Sequence, residues 1–328
     1  MELIRGAHNL RPRHRGCVAT IGNFDGVHRG HQHIVAAVSA RARELGVAST
    51  VMLFEPQPQE FFAGARAPAR LMRLRDKLAA LAALGVDRVF CVRFDESFRA
   101  LTAGDFVERL LVEGLGVRHL AIGDDFRFGA GRHGDYTFLC EAGARHGFTV
   151  QDTATIVVDG ERVSSTAIRD ALAAGDFDHA ASLLGHPYEI AGRVRHGDAR
   201  GRELGFPTAN IALHRLRSPL FGVYAVEIRG INGVVMTGVA NVGRRPTVNG
   251  LDERLEVHVF DFMERIYGRH ITVRFLARIR DEMRFDGLDA LKAQIACDVA
   301  AARAIFAARA TPSSGTSRHL LPGGEGKS

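Results

Sequence analysis

No stretch of this 328-residue chain is apolar for long enough to span a lipid bilayer. The first fifteen residues are polar and basic, and they lack the apolar segment of a secretory signal peptide. Hydrophobic residues make up 46% and charged residues 24% of the sequence, an ordinary composition for a globular protein. We therefore expect a cytoplasmic protein with no membrane partner.

Cysteine is scarce, and its spacing gives no sign of a metal site. Cys17, Cys91, Cys140 and Cys297 are scattered along the chain rather than grouped in pairs. We interpret them as reduced, mostly buried thiols and not as a disulfide framework, which agrees with the expected compartment.

The charge balance does not indicate a nucleic-acid partner. There are 43 basic and 37 acidic residues, a formal net charge of +6, and arginine dominates the basic set. The basic clusters at 11–15 and 193–202 are short, and no long basic helix, zinc-finger spacing or RNP-type aromatic string is present. We expect no nucleic-acid binding, since arginine clusters of this size suit the phosphates of small nucleotides equally well.

The first half of the chain alternates short apolar runs with amphipathic stretches. Candidate strands lie at 18–21, 49–54, 88–93, 119–122 and near 148–150, and candidate helices at 31–44, 74–84, 103–113, 137–146 and 166–174. This alternation predicts an α/β Rossmann-like domain over residues 1–185, a parallel sheet with helices on both faces. A ligand is then expected at the carboxyl ends of the strands.

The second half has a different pattern. Strand-like alternation with frequent glycine runs through 190–194, 222–228, 234–242, 255–260 and 271–279, which predicts a small antiparallel β-barrel over residues 186–309. Apolar residues then recur every three or four positions from Leu288 to Phe306, the face of a C-terminal helix packed on the barrel. Residues 310–328 have the composition of a disordered tail. We allow for weak or transient self-association, for which the sequence carries no specific signal.

One run near the N-terminus holds two histidines among three glycines, where a strand passes into a helix. It comprises Gly22, Asn23, Phe24, Asp25, Gly26, Val27, His28, Arg29, Gly30 and His31. Backbone N–H groups at a helix start favour an anion, and histidines three residues apart share one face of the first turn. The pattern suits a triphosphate whose α-phosphorus is attacked, with both imidazoles stabilising the developing charge.

Two further runs in this half could line the same site. Gly123 to Gly129 follows an apolar strand, so that Asp125 could contact a nucleotide or flavin and Phe126 or Phe128 could offer an aromatic face. Ser164, Ser165 and Thr166 open a helix, either as ordinary caps or as phosphate ligands beside Arg169, which could grip a leaving pyrophosphate.

The first-half motifs resemble those of the nucleotidyltransferase superfamily. The string from Thr20 to His28 is similar to one branch of it, the bacterial bifunctional riboflavin kinase/FAD synthetases. The resemblance implies catalytic roles for His28, His31 and Arg169. It implies nucleotide contacts for Gly22, Asn23, Phe24, Asp25, Gly30, Asp125, Ser164, Ser165 and Thr166, and flavin contacts for Phe54, Phe126 and Phe128. Many relatives have His where this chain has Gln57, so we assign position 57 no catalytic role.

The run from His196 to Asn210 is rich in glycine and arginine and ends Pro207-Thr208-Ala209-Asn210. It lacks the Gly-Lys-Ser/Thr ending of a Walker loop. Thr208 and Asn210, two apart on an extended segment, point the same way, and their oxygens suit Mg²⁺. The run closely resembles that of riboflavin kinases. The resemblance implies that Thr208 and Asn210 hold Mg²⁺ and ATP, that Gly197, Arg200, Gly201, Gly205 and Pro207 contact the nucleotide, and that Phe206 and Arg280 contact the flavin.

A kinase also needs a base. Leu255, Val257 and Val259 alternate with Glu256 and His258, which would place Glu256 on the opposite face of a barrel strand. There it is either a solvated edge carboxylate or the base that accepts the proton of the ribityl 5′-hydroxyl, and the resemblance implies the second role.

Taken together, the motifs lead us to expect a bifunctional enzyme that phosphorylates riboflavin to FMN and adenylylates FMN to FAD with release of pyrophosphate. ATP would be the co-substrate and Mg²⁺ the metal. One alternative is an adenylyl- or cytidylyltransferase acting on another phosphate ester, against which the barrel motif argues. Another is a flavin-binding regulator with silent sites, and an adaptor protein ranks last.

Overall fold

The computed structural model describes residues 1–123, 125–196, 205–247 and 250–310. The N-terminal half forms a six-stranded parallel sheet in the order β1-β4-β3-β2-β5-β6. Its strands are β1 (Glu2–Arg5), β2 (Cys17–Ile21), β3 (Ala48–Glu55), β4 (Arg88–Arg93), β5 (Val117–Ile122) and β6 (Thr149–Asp152). The chain leaves β2 toward β3 and later returns to its other side with β5, so the topological switch point lies beside β2.

Helices cover both faces of the sheet, as the sequence predicts. The helices are α1 (Arg29–Leu45), α2 (Pro58–Ala63), α3 (Leu74–Ala83), α4 (Glu96–Arg99), α5 (Ala103–Asp105), α6 (Tyr136–His146), α7 (Ser165–Ala174) and α8 (Phe177–Leu184). Alternate residues of one strand enter different hydrophobic clusters: Val51 and Leu53 pack toward α3, whereas Met52 packs on the opposite face. The predicted helix at 103–113 is only in part α-helical, because the chain continues from α5 as a π-helix at Phe106–Val112.

A short hairpin of β7 (Val157–Val158) and β8 (Glu161–Arg162) precedes α7. The second half then closes into an antiparallel barrel in the order β10-β13-β12-β11-β14-β9. Its strands are β9 (Glu189–Arg195), β10 (Ala209–Ala212), β11 (Gly222–Ile231), β12 (Val234–Thr247), β13 (Gly250–Val259) and β14 (His270–Arg280). The α/β Rossmann-like domain and the antiparallel barrel are therefore both confirmed.

The C-terminal helix α9 (Leu288–Ala310) packs on the outer face of the barrel. Ala302 is fully buried there against Val223 and Phe260. The predicted apolar face is wrong at its start, because Leu288 is 63% exposed and the contact is made by the later turns of the helix.

The two halves share a hydrophobic core. Residues of α7 and α8, such as Ile168 and Leu183, belong to the same cluster as Tyr188 and Phe275 of the barrel half. Among the described residues, no helix is both long and apolar enough to cross a membrane.

Candidate active sites

The loop after β2 is held in a strained shape at the switch point of the sheet. Phe24 and Val27 have φ angles of 48° and 43°, and Gly26 has a φ of 84°. A Cβ at Gly26 would also lie 3.0 Å from Leu71 Cδ1, so a side chain there would meet both backbone strain and a packed neighbour. The loop is a fixed element, as expected of a site that must meet a ligand in one geometry.

His28 and His31 lie at the start of α1 and form one stacked pair. Their ring centroids are 3.6 Å apart, and the ring of Phe24 lies 4.8 Å from that of His31. His28 caps the helix, its Nδ1 accepting from the N–H of His31 at 3.4 Å. Gly30 leaves room for this arrangement, since a Cβ there would lie 3.2 Å from the His28 ring. The cap assigns the ring proton of neutral His28 to Nε2.

Both histidines are kept neutral. Burial lowers the pKa of His28 to about 4, although the nearby charge of Asp25 opposes the shift. Burial holds the pKa of His31 well below its usual range, and so do the repulsion that a protonated His28 would exert and the nearby charge of Lys77. The Nδ1 atom of His31 is buried and has no hydrogen-bond partner among the described residues. The pair therefore offers hydrogen bonds without bringing net charge.

The start of α7 lies beside the start of α1. Ser164 caps α7 by accepting from the N–H of Ala167 at 3.1 Å, and Thr166 is exposed in its first turn. Ser165 Oγ donates to the carbonyl of Asp25 at 3.0 Å, which ties α7 to the β2–α1 loop. Two helix N-termini thus meet at the switch point, where unpaired N–H groups favour phosphate oxygens.

Asp25 is occupied within the protein. Its carboxylate, 2% exposed, accepts the N–H groups of Leu71 and Met72 at 3.0 Å each and pairs with Arg169 at 2.8 Å. Arg169 also donates from Nε to the carbonyl of Ala69 at 2.5 Å. Through these contacts Asp25 holds the β2–α1 loop to residues 71 and 72 and to Arg169. Its predicted contact with the nucleotide stays a prediction.

Lys77 is a buried residue that the sequence reasoning missed. Its side chain is fully buried on α3, and its Nζ donates to the carbonyl of Asn23 beneath the β2–α1 loop. Burial lowers the pKa of this lysine. The sequence pattern does indicate a buried lysine, since Lys77 lies between Leu74 and Leu81 on an otherwise apolar helix face.

Aromatic rings form a continuous cluster beyond the carboxyl ends of β3, β4 and β5. Phe54 and Phe128 are buried within it, whereas Phe126 is half-buried and stacks on Phe128 at 5.5 Å. Phe62, which the sequence reasoning did not single out, is 61% exposed at the rim. Asp125 is exposed and lies 3.9 Å from Arg162.

In the barrel, three polar residues lie side by side on the outer face. Asn210, Glu256 and Asn241 are direct cross-strand partners on β10, β13 and β12. The intervening Leu255 and Val257 are buried in the barrel core, as the alternation predicts. Asn241 Oδ1 is buried and has no hydrogen-bond partner among the described residues.

The segment before β10 is fastened to the strand that carries Glu256. The ring of His258 is hydrogen-bonded through Nδ1 to the carbonyl of Pro207 at 3.0 Å, and Phe206 meets the same ring edge-on at 5.4 Å. Asn210 Nδ2 donates to the Thr208 carbonyl at 3.4 Å. Thr208 and Asn210 are therefore held on the same edge of the barrel as Glu256.

A cavity of about 320 Å³ opens beside Thr208. Its lining includes Gly205, Pro207 and Thr208 on one side and Met263 and Tyr267 on the other. The volume is in the range of small-molecule sites. Gly197, Arg200 and Gly201, which the resemblance places on the nucleotide, lie outside the described residues.

Arg280 is already paired. Its guanidinium makes two hydrogen bonds, of 2.8 and 2.7 Å, to the carboxylate of Asp298 on α9. This pair fastens α9 to the barrel, and the predicted flavin contact of Arg280 stays a prediction. Among the residues that the structure describes, no cluster of three or more His, Cys, Asp or Glu side chains could hold a metal ion.

Comparison with protein families assigns each half separately. A model described as FAD synthetase matches residues 10–167, and a model described as riboflavin kinase matches residues 184–306.

Similar proteins span nearly the whole chain. A bifunctional riboflavin kinase/FMN adenylyltransferase of Pseudomonas fluorescens is 57% identical over 308 residues, covering 94% of this chain and 98% of that protein. A protein of the same name from Escherichia coli K12 is 55% identical, covering 93% of this chain and 98% of its own length.

Among solved structures, a Streptococcus pneumoniae chain described as a macrolide-efflux protein matches with a TM-score of 0.75 and 29% identity, covering 92% of this chain and 99% of that chain. The match extends over both the sheet and the barrel. The chain belongs to the family of bifunctional riboflavin kinases/FMN adenylyltransferases, and it uses ATP to convert riboflavin to FMN and FMN to FAD.

Proposed function

We propose that the two reactions take place at two separate sites, one in each half of the chain. The observation that carries the proposal is the location of the two clusters. The His28–His31 pair lies at the sheet switch point, whereas the row of Asn210, Glu256 and Asn241 lies on the outer face of the barrel.

For adenylyl transfer, the triphosphate of ATP lies between the starts of α1 and α7. A phosphate oxygen of FMN attacks the α-phosphorus, the bond to the bridging oxygen breaks, and pyrophosphate leaves. His28 and His31, both neutral, donate hydrogen bonds to oxygens whose charge grows in the transition state. Arg169 stabilises the leaving pyrophosphate. Proximity and electrostatics are sufficient, so no covalent enzyme intermediate is required.

The flavin of FMN lies against the aromatic cluster. Its flat ring requires an apolar face of comparable size, and the cluster offers the exposed ring of Phe62 and the half-buried ring of Phe126, which follows β5. Phe54 and Phe128 support these rings from within the core. We therefore assign the direct contact to Phe126 and Phe62 and an indirect role to Phe54 and Phe128.

For phosphoryl transfer, Glu256 accepts the proton of the ribityl 5′-hydroxyl as its oxygen attacks the γ-phosphorus of ATP, and ADP leaves. The cavity beside Thr208 accommodates part of the nucleotide. The Asn241 oxygen, buried beside Glu256 and without a protein partner among the described residues, is available to a ligand there.

Mg²⁺ fits this edge of the barrel. Thr208 and Asn210 supply hydroxyl and amide oxygens, the hard donors that Mg²⁺ accepts together with phosphate oxygens and water. When bound, the ion neutralises charge on the transferred phosphoryl group. The chain's own residues hold the hydroxyl and take its proton.

We also propose that the enzyme works in the cytoplasm, since all four cysteines are free thiols. The domain boundary at 185/186, weak self-association and the lack of a nucleic-acid partner stay predictions.

Two variants assayed with two substrates test the separation of sites. With riboflavin and ATP, His28→Ala should accumulate FMN while FAD formation falls about 100-fold or more. Glu256→Gln should form FMN from riboflavin about 100-fold more slowly or worse, yet convert supplied FMN to FAD at the normal rate.

Matched controls are His33→Ala, exposed on the same helix as His28, and Glu227→Gln, which pairs with Arg274 on neighbouring barrel strands. Both should retain both activities. A folded Glu256→Gln protein that had lost both activities would contradict the separation of sites.

A further inference from the structure

The carboxylate of Asp25 joins three parts of the chain that are distant in sequence. Through it, the β2–α1 loop is bonded to the N–H groups of Leu71 and Met72 and to the guanidinium of Arg169. The side chain of Arg169 is only 17% exposed, and its Nε also donates to the carbonyl of Ala69. The position of Arg169 is therefore set by residues 69–73, which we call the strap.

The strap is held from its other side by the barrel half. Arg215 Nη1 donates to the carbonyls of Arg70 at 3.0 Å and Leu71 at 3.2 Å, and it contacts the hydroxyl oxygen of Tyr188 at 2.9 Å. Tyr188 donates from its hydroxyl to the same Leu71 carbonyl at 3.3 Å. The N–H of Arg70 also donates to the carbonyl of Arg217 at 3.2 Å, and the side chain of Arg73 donates to the carbonyl of Ala191.

The side chain of Leu71 reinforces this attachment. It is 2% exposed and lies in the hydrophobic cluster that contains Tyr188 and the barrel core. It also packs against the β2–α1 loop, because a Cβ at Gly26 would lie 3.0 Å from Leu71 Cδ1. Leu71 of the strap thus contacts both the barrel and the β2–α1 loop.

We propose that Arg215, in the kinase half of the chain, is a positioning residue for adenylyl transfer in the other half. It fixes the strap, the strap fixes Asp25, and Asp25 with Ala69 fixes the guanidinium of Arg169 against the phosphates. This inference rests on the role that we propose for Arg169. It assigns Arg215 no contact with either substrate.

The arrangement predicts a specific kinetic signature. Arg169 acts on pyrophosphate as it leaves, so loosening it weakens an interaction that is strongest in the transition state. Loss of Arg215 should therefore lower kcat for adenylylation more than it raises the KM for FMN. The kinase site lies elsewhere on the barrel, so its kcat should not change in parallel.

The test compares Arg215→Met with Arg215→Lys in the full-length protein. With supplied FMN and ATP, the Met variant should lose about 10-fold in adenylylation kcat, less than the roughly 100-fold that a 1 Å misplacement of a catalytic group can cost. Lysine keeps a donor and should recover part of the loss. Riboflavin kinase activity, measured on the same preparation, should stay within about twofold. The matched control is Arg229→Met, which removes an exposed barrel arginine paired with Glu189 and should change neither activity.

A double-mutant cycle separates this inference from the role of Arg169. If Arg215 acts through Arg169, adding Arg215→Met to Arg169→Ala should cost much less than it does alone. Additive losses would overturn the relay. So would a folded Arg215→Met protein with normal adenylylation, or one whose two activities fall equally. Normal adenylylation by Arg169→Ala alone would instead refute the proposed role of Arg169.

Discussion

The imidazole rings of His28 and His31 lie 3.6 Å apart with their planes inclined by 22°. Two imidazolium ions would repel each other at this distance, and burial already disfavours the charged forms. At the adenylylation site that we propose, the pair therefore contributes two neutral hydrogen-bond donors. Under this proposal, positive charge next to the triphosphate would come from Arg169 and not from the histidines.

The neutral state of His28 predicts how stability depends on pH. Its pKa in the folded protein is about 4, below the ordinary value of 6.5, so between these pH values the unfolded chain binds a proton at His28 that the folded chain does not bind. The contribution of neutral His28 to the free energy of unfolding is fully present above pH 6.5. It is lost as pH falls toward 4, by up to about 1.4 kcal/mol for each pH unit.

Urea unfolding of the wild type and of His28→Gln at pH 7, 6 and 5 measures this effect. Glutamine cannot titrate, so the stability of the wild type relative to the variant should decrease as pH falls. A difference that stays constant across this range would show that folding does not shift the pKa of His28.

Loss of the Thr208 hydroxyl should weaken metal binding at the kinase site. Thr208→Ala should raise the Mg²⁺ concentration for half-maximal kinase activity by about 10-fold or more, as for other changes around a metal. Adenylylation of supplied FMN should keep its own Mg²⁺ dependence. Thr237→Ala, on a neighbouring part of the barrel, is the control, and an unchanged Mg²⁺ titration for Thr208→Ala would exclude Thr208 as a ligand.

The sequence predicts most of this fold because periodicity is a local property. The alternation of Leu255, Glu256 and Val257 places Glu256 on the outer barrel face, as the structure has it. Strands β1 and β10 and helix α8 were missed, since four-residue strands and an eight-residue helix hold too few residues for a clear period.

The site was harder to predict where it depends on distant partners. The motif places Asp25 beside the histidines, but its hydrogen bonds to Leu71 and Met72 depend on a segment about 45 residues away. The pairing of Arg280 with Asp298 likewise depends on how α9 docks. Such contacts follow from tertiary packing, which no local pattern encodes.

Lys77 should support adenylylation from beneath the site. Replacing it with methionine removes the donor to the Asn23 carbonyl while keeping most of the volume, so the protein should fold with little change in stability. The β2–α1 loop loses one of the hydrogen bonds that hold it, and adenylylation kcat should fall about 10-fold with kinase activity retained. The matched control is Lys292→Met, an exposed lysine on α9. Full adenylylation activity in Lys77→Met would mean that the loop is fixed by its other contacts, such as the hydrogen bonds of Asp25, without the Lys77 donor.

The Arg280–Asp298 pair should determine whether α9 stays docked. Asp298 is 4% exposed and the Arg280 side chain 18%, so Asp298→Ala leaves a largely buried guanidinium without its carboxylate. Removing one partner of such a pair typically costs about 3–5 kcal/mol. We expect urea unfolding of the barrel to shift by about that amount, and α9 to be cleaved faster in limited proteolysis. Asp289 is exposed in the first turn of α9, so Asp289→Ala should change neither the urea unfolding nor the rate of cleavage. Equal stability and cleavage in the two variants would mean that the other contacts of α9, such as the apolar packing of Ala302, hold the helix on the barrel without this pair.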